Sequence, residues 1–386
     1  MPENNNQLLV IVSDFISELL KKGEIIDRYY NPGNYFRSVG IILTNSDSVD
    51  PEKVQRLVGD ATLKIYNLPP PSFTSTLGWN KRLMQQWFDN GTALTRKIHP
   101  NLIRVYGNGL NGYLASQIKE QTKIPYLLSM HINPDADIHG RVNTIKDYIV
   151  SFFEDRIGTE ALVHADIVLP VYKPIVPYLV KRGVKNYDVC YNVINPSQIV
   201  TKTDYARKEI FQIVSVGRQI KEKNPENIIK TLKELQNIHF TCVGDGSHHG
   251  QLRAVAEAYG VMEKMTFIKN IPNDELCAML PQFDLFITHT EYWEISKSLL
   301  EPMLTGMPIV LNIRNGEPVP ELQGDFIHYS RNSVLGYREA IEKMMTDDRY
   351  RKSMGKKVFE YAQKYFSPAT TENKFVQLYK QYSIPQ

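Results

Sequence analysis

A chain of 386 residues is too long for a single typical hydrophobic core and calls for about two domains. Its 42% hydrophobic and 23% charged residues are those of an ordinary globular protein, and a formal charge of +3 excludes a nucleic-acid-sized basic field. No apolar run approaches the ~20 residues a membrane-crossing helix needs, and MPENNNQ lacks a basic-then-apolar leader, so the sequence reads as cytoplasmic, with peripheral membrane contact left open.

Short apolar runs alternate with amphipathic stretches from the start. QLLVIVSD (7–14), VGIILTN (39–45), LIRVYG (102–107), IPYLLSMH (124–131) and ADIVLPVY (165–172) read as buried strands, with helical patterns such as GYLASQIKEQT between them. NPSQIVTKTDYARKEI (195–210) is polar and lacks apolar periodicity, so it marks a join. The rhythm restarts with FQIVSVG (211–217), HFTCVGDG (239–246), MTFIKNI (265–271), DLFITHT (284–290) and MPIVLN (307–312). Continuous apolar strands separated by helices imply parallel sheets covered on both faces. The fold class is therefore α/β, with two doubly wound Rossmann-like domains over residues 1–199 and 200–365. The last helical pattern, 366–386, is expected to pack back on the first domain. Cys190, Cys242 and Cys277 are widely spaced without a CxxC and read as buried free thiols.

Open parallel sheets bind ligands beyond the carboxyl ends of their strands, so the residues after each strand carry the functional candidates. RYYNPGN (28–34) is either an aromatic-packed turn favoured by Pro-Gly or an acceptor-binding loop, in which Tyr29, Tyr30 and Asn31 would meet a sugar. GNGLNG (107–112) fits GxGxxG, but the following strand ends LLSMH and offers no acid for a ribose. It reads as a tight turn or a glycine-lined ligand loop that includes Gly109 and Asn111. Asp135-Ala-Asp137 has the form of a cation-binding pair, yet hard-cation sites usually need more ligands, and no metal is expected.

VSVGRQIKEKNP (214–225) is more informative. The strand ends at Gly217, and Arg218, Lys221 and Lys223 follow on a short loop before Asn224-Pro225 opens a helix. A forked guanidinium beside a compact ammonium suits a diphosphate, although a solvated basic loop has the same composition. In EYWEISKSLLEPMLTGMPIV (291–310), Ser298 and Glu301 have capping-box spacing, and Gly306 with Pro308 ends the helix. Its amide-rich start favours an anion; the plain alternative is that Glu301 merely caps its own helix.

GRQIKEKNP, VGDGSHHGQLRAVAEAYGV, MTFIKNIPNDELCAMLPQFDLFIT and LLEPMLTGMPIV, in this order and spacing, resemble the retaining glycosyltransferases of family 4, within the glycosyl transferases group 1. The likeness is specific over 211–312, weaker over 99–196 and faint before that. It implies the GT-B architecture, two facing Rossmann-like domains with a cleft between them. It also implies sugar transfer from a nucleoside diphosphate-sugar to an acceptor hydroxyl, with retention of anomeric configuration and no metal or other cofactor. The acceptor would be a carbohydrate, a lipid-linked sugar or another hydroxyl compound. By the same resemblance, Arg218 and Lys223 grip the diphosphate, with amides around Lys297, Ser298 and Leu299 assisting. Glu301 holds the ribose, the backbone at Ile271 meets the base, and His131 lies near the sugar and the acceptor. The chain departs from the family's E-x7-E pattern: Trp293 stands eight residues before Glu301, and Glu294, one place late, is assigned as the first acid. Two alternatives stay in view: a sugar-nucleotide 2-epimerase, which shares the two-domain layout, and a non-catalytic nucleotide-sugar-binding subunit, which the displaced acid suggests.

Overall fold

The structure is a computed structural model that describes residues 6–135, 144–314, 316 and 318–384. The chain divides into two compact units, Met1–Val193 together with Thr371–Gln386, and Ile194–Thr370.

The first unit is built on six parallel strands: β1 (Gln7–Val12), β2 (Ser38–Leu43), β3 (Thr62–Asn67), β4 (Leu102–Tyr106), β5 (Tyr126–Met130) and β6 (Ile167–Pro170), in the order β3-β2-β1-β4-β5-β6. This is the doubly wound order. LLVIV of β1 is buried along its length, because helices cover both faces of a central parallel strand. β3 is the strand that the apolar pattern does not reveal. TLKIYN lies at the sheet edge, where exposed residues alternate with half-buried ones and a lysine is tolerated.

The last glycine of GNGLNG serves packing. A Cβ on Gly112 would lie 2.7 Å from the Ala161 Cβ, so this glycine lets the helix Leu110–Thr122 press against the helix Ile145–His164. Asp135 falls at the end of a described segment, and its DxD partner Asp137 lies outside the described residues.

The C-terminal helix Pro368–Tyr382 brings Phe375, Leu378 and Tyr379 into the core of the first unit. It also supplies the partner of a buried cation. Arg104, in the middle of β4, is fully enclosed, with its guanidinium 3.9 Å from the Phe375 ring centre and 4.9 Å from that of Tyr106. Its Nη1 donates to the Tyr379 hydroxyl at 2.5 Å.

The second unit repeats the design with β7 (Phe211–Val216), β8 (Ile238–Val243), β9 (Met265–Ile268), β10 (Leu285–Thr288), β11 (Ile309–Asn312) and β12 (His328–Ser330), in the order β12-β11-β10-β7-β8-β9. β12 has only three residues and, like β3, is an edge strand outside the sequence pattern. The stretch before β7 looked like a bare connector, but hydrogen bonds fasten it to this unit. Lys202 N–H donates to Thr305 O at 2.7 Å, the Tyr205 hydroxyl to Gly306 O at 2.8 Å, and Arg351 Nη2 to Tyr205 O at 2.8 Å. Such polar stitching leaves no apolar period in the sequence. Cys190, Cys242 and Cys277 are free and buried. Among the described residues no helix is long and apolar enough to cross a membrane.

The Arg104 bond yields a stability prediction. Tyr379→Phe keeps the ring but leaves a buried guanidinium short of an acceptor, and is expected to destabilise the first unit by about 1–3 kcal/mol in denaturant unfolding. An unchanged midpoint would show that Arg104 is held by its aromatic neighbours alone.

Candidate functional site

The second unit carries a hollow at the carboxyl ends of β7, β8 and β10. β7 lies between β8 and β10, so the connections from the two halves of the sheet diverge there and leave a crevice. Ser215, Val216, Gly217 and Arg218 line it from the β7 side, and Thr288, His289 and Thr290 from the β10 side.

Close backbone packing shapes the β7 side. A Cβ on Gly244, whose φ is +133°, would fall 2.0 Å from Gly217 O, so only glycine lets the loop after β8 pass behind that after β7. Gln219 is buried and fixes the same loop: its N–H donates to Asp245 O at 2.9 Å, and its side-chain oxygen lies 2.5 Å from His249 Nδ1. Arg218, by contrast, is exposed and makes no ion pair among the described residues. The loop holds it out as an unneutralised cation.

On the β10 side, the Asn312 side chain at the end of β11 accepts from Thr290 N–H at 3.0 Å and donates to Thr290 O at 2.9 Å. The loop that follows is tied across the hollow, with Glu291 N–H donating to Glu222 O at 2.8 Å. This brings Lys223 and Glu294 together, Nζ to Oε1 at 2.5 Å, with both side chains largely buried. The Tyr292 ring lies 5.6 Å from the same ammonium.

The helix after this loop runs Lys297–Thr305 and its N-cap is Ser296. That corrects the expected capping box. Ser298 and Glu301 lie inside the helix, no side-chain cap bond forms, and the Ser298 hydroxyl instead meets that of Ser296 at 2.9 Å. Leu299 N–H is already bonded to Ser296 O at 3.1 Å, so it is not a free donor. The helix start still reaches the hollow through Ser296, Ser298 and Leu299.

Six of the residues singled out from sequence therefore meet on one hollow: Gly217, Arg218, Lys223, Glu294, Ser298 and Leu299. Lys297, Glu301 and Ile271 do not line it. Glu301 is buried and accepts from Asn273 Nδ2 at 3.1 Å, which ties it to the start of the helix Asn273–Met279, just after the loop that contains Ile271. Sequence reasoning missed His289 and Thr290, which close the run 284–290 that it read as a strand, and Arg314, which follows the run 307–312. Their strand-end position was the available signal.

The remaining candidates belong to the first unit. His131 follows β5, with Nδ1 3.1 Å from Asn192 Oδ1, and stacks on Tyr106 at 5.7 Å; Tyr106 stacks on Tyr29 at 5.6 Å. Tyr30 and Asn31 are enclosed by the turn itself. Asn31 donates to Phe36 O at 2.9 Å and Val58 O at 3.0 Å and accepts from Phe36 N–H, which corrects its reading as a ligand contact. Asn111 is similarly engaged: it accepts from the Thr44 hydroxyl at 2.5 Å and donates to Tyr106 O at 2.8 Å. Gly109 precedes the helix Leu110–Thr122, and a Cβ there would meet open space.

Comparison with known proteins gives a consistent picture. Residues 202–361 match the family model of the glycosyl transferases group 1. A 2-deoxystreptamine glucosyltransferase of Streptomyces kanamyceticus is 29% identical over 24% of this chain and 25% of its own length. A 2-deoxystreptamine N-acetyl-D-glucosaminyltransferase of Streptomyces fradiae is 23% identical over 76% of this chain and 75% of its own. The first of these matches thus spans about a quarter of the relative's length. Among solved structures, HepE of Anabaena, in complex with UDP and glucose, aligns with a TM-score of 0.72 at 12% identity over 97% of this chain and 99% of that one. The chain resembles the group 1 glycosyl transferases, and its fold is GT-B.

His289 gives the site a pH signature. It is buried, with Nδ1 3.1 Å from the Tyr337 hydroxyl, and burial together with the nearby Arg314 cation pushes its pKa down to about 4 from an ordinary 6.5. Above pH 6.5 neither folded nor unfolded chain holds the proton, and the group has no effect. As pH falls towards 4 only the unfolded chain is protonated, so stability drops, by up to about 3 kcal/mol. His289→Gln is expected to flatten this part of the profile in denaturant unfolding across pH. Retention of the full slope would assign it to other groups.

Proposed function

We propose that the protein transfers a sugar from a nucleoside diphosphate-sugar to an acceptor hydroxyl, with retention of anomeric configuration and without a metal. The observation that carries this reading is the convergence of Arg218, Lys223 and the start of the helix Lys297–Thr305 on one hollow at the switch point of the second unit. As the bond to the anomeric carbon breaks, negative charge grows on the departing diphosphate. Arg218 offers it paired N–H donors, Lys223 a point charge, and the helix start its positive dipole end with the Ser296 and Ser298 hydroxyls. Donors fixed in advance favour the transition state over the ground state, and so speed the reaction. A donor phosphate oxygen on the same face takes the acceptor's proton, which accounts for retention without an enzymic nucleophile.

The nucleoside falls to the far side of the same unit in this proposal, with Glu301 on the ribose and the backbone at Ile271 on the base. The Asn273–Glu301 hydrogen bond supports it, because it holds the carboxylate at the start of the helix that follows the loop carrying Ile271. Glu294 stands closest to the sugar. The acceptor is assigned to the first unit, where the Tyr29–Tyr106–His131 stack offers ring faces suited to a carbohydrate. His131 is given a contact with sugar or acceptor.

We also propose peripheral contact with a lipid surface through the helix Ile145–His164. Ile145, Tyr148, Ile149 and Phe152 recur on one helical face and are 83%, 68%, 47% and 64% exposed. Two aromatic and two aliphatic side chains over two turns match the face that interfacial helices bury.

Two experiments test these readings. Incubation with UDP-, GDP-, ADP- and TDP-sugars should reveal slow hydrolysis of one donor class, and Arg218→Ala should lower its turnover on the order of 10²-fold, the scale for one lost stabiliser. Near-normal turnover at saturating donor would remove Arg218 from the chemistry. In vesicle flotation, the wild type should rise with the lipid and the double variant Tyr148→Asp, Phe152→Asp should remain below; equal partition of the two would reject the lipid contact.

A further inference from the structure

The Lys223–Glu294 pair sets a condition on any donor site built around it, and the inference drawn here rests on that donor-site reading. Its side chains are only 12% and 18% exposed and its Nζ–Oε1 separation is 2.5 Å. A diphosphate in the hollow draws the ammonium to itself and then lies beside a carboxylate that has lost its counter-ion. A buried, uncompensated carboxylate is strongly unfavourable, and it repels the incoming anion. Another cation must take it up.

Arg314 is placed to do so. It follows β11, lines the same hollow as Lys223 and Glu294, and is 7% exposed. Its Nη1 donates to Tyr292 O at 3.2 Å, and its guanidinium lies 5.0 Å from the Trp293 ring centre. Among the described residues it forms no ion pair, and its buried Nε–H has no hydrogen-bond partner. Unpartnered buried donors are uncommon enough to require an explanation. Burial lowers the Arg314 pKa, and Glu294 is the foremost of the charges that oppose the shift. A guanidinium nonetheless stays charged at any working pH. Arg218, Lys223 and Arg314 against Glu294 leave the hollow with two net positive charges. A diphosphate esterified at both ends carries the same number of opposite sign.

We propose that Arg314 is a positioning residue that takes over the Glu294 carboxylate when a diphosphate takes Lys223, so that the donor anion enters without facing an uncompensated acid.

Calorimetric titration of the full chain with UDP, GDP, ADP and TDP identifies the nucleotide that it binds. The same nucleotide is then titrated into Arg314→Gln, Glu294→Gln and the double variant. In the native background, Arg314→Gln is expected to weaken binding about tenfold, because the carboxylate keeps its hold on Lys223. With Glu294 already neutral, the same change should cost less than about threefold, since no acid needs a new partner. Damage to packing alone would persist in both backgrounds. Equal losses in the two backgrounds, a shared loss of folding included, overturn the proposal and leave the donor-site reading standing, as does unchanged binding by Arg314→Gln. Failure of the wild type to bind any of the four nucleotides overturns both.

Discussion

β7 pairs with β10 through Ile213 with Leu285 and Val214 with Phe286, although some seventy residues separate them. Because the pairing is parallel and the chain winds outward in both directions from it, the connections on either side run apart and cannot fill the space above the two strand ends. The hollow is a topological consequence and needs no special residue to open it. What the sequence adds is the lining. Gly244 lets one loop pass tightly behind another, Gln219 and Asn312 hold the rims, and the backbone bond from Glu291 to Glu222 spans the gap.

Charge placement inside that frame is graded by burial. Lys21 and Glu18 are also within bonding distance, but at 71% and 52% exposure their pair is screened by solvent and contributes little. Lys223 and Glu294 are in a different regime, where each charge has lost most of its water and neither tolerates the loss of the other. Arg218 sits at the opposite limit, solvated and exposed. Its affinity for an anion therefore carries little desolvation cost, whereas engaging Lys223 requires an exchange of partners. The exposed guanidinium suits first capture and the buried ammonium suits discrimination, a division that follows from solvation alone.

Ten of the twelve strands among the described residues are legible in the sequence because each carries a short apolar run, even β6 and β9 at the far edges of their sheets. β3 and β12 are not: β3 mixes exposed with half-buried positions, and β12 has only three residues. The loop cations were legible for a related reason: a strand end announces where the next residues go. Arg314 satisfies the same rule after β11, yet it passed unnoticed because a lone arginine in NIRNG carries no local pattern. The Ser298–Glu301 spacing misled in the opposite way. Two serines two residues apart both precede an apolar run, and the chain caps its helix with the earlier one, Ser296, which turns Ser298 into the first turn and Glu301 inward towards Asn273. Composition left Tyr30, Asn31 and Asn111 open between a packed turn and a ligand contact, because it does not distinguish an amide that meets a ligand from one that satisfies its own turn.

Trp293 connects these points. It occupies the place where the E-x7-E pattern has an acid, is buried, and lies beneath the Arg314 guanidinium and beside Tyr329 at 6.0 Å. An indole at this position cannot hold a hydroxyl as a carboxylate does, but its ring face attracts a cation. With the indole there, the nearest acid is Glu294, one residue later, and the Arg314 guanidinium rests over the ring. The ring that stands in the acid's place is thus the ring against which the buried guanidinium of the same hollow is held.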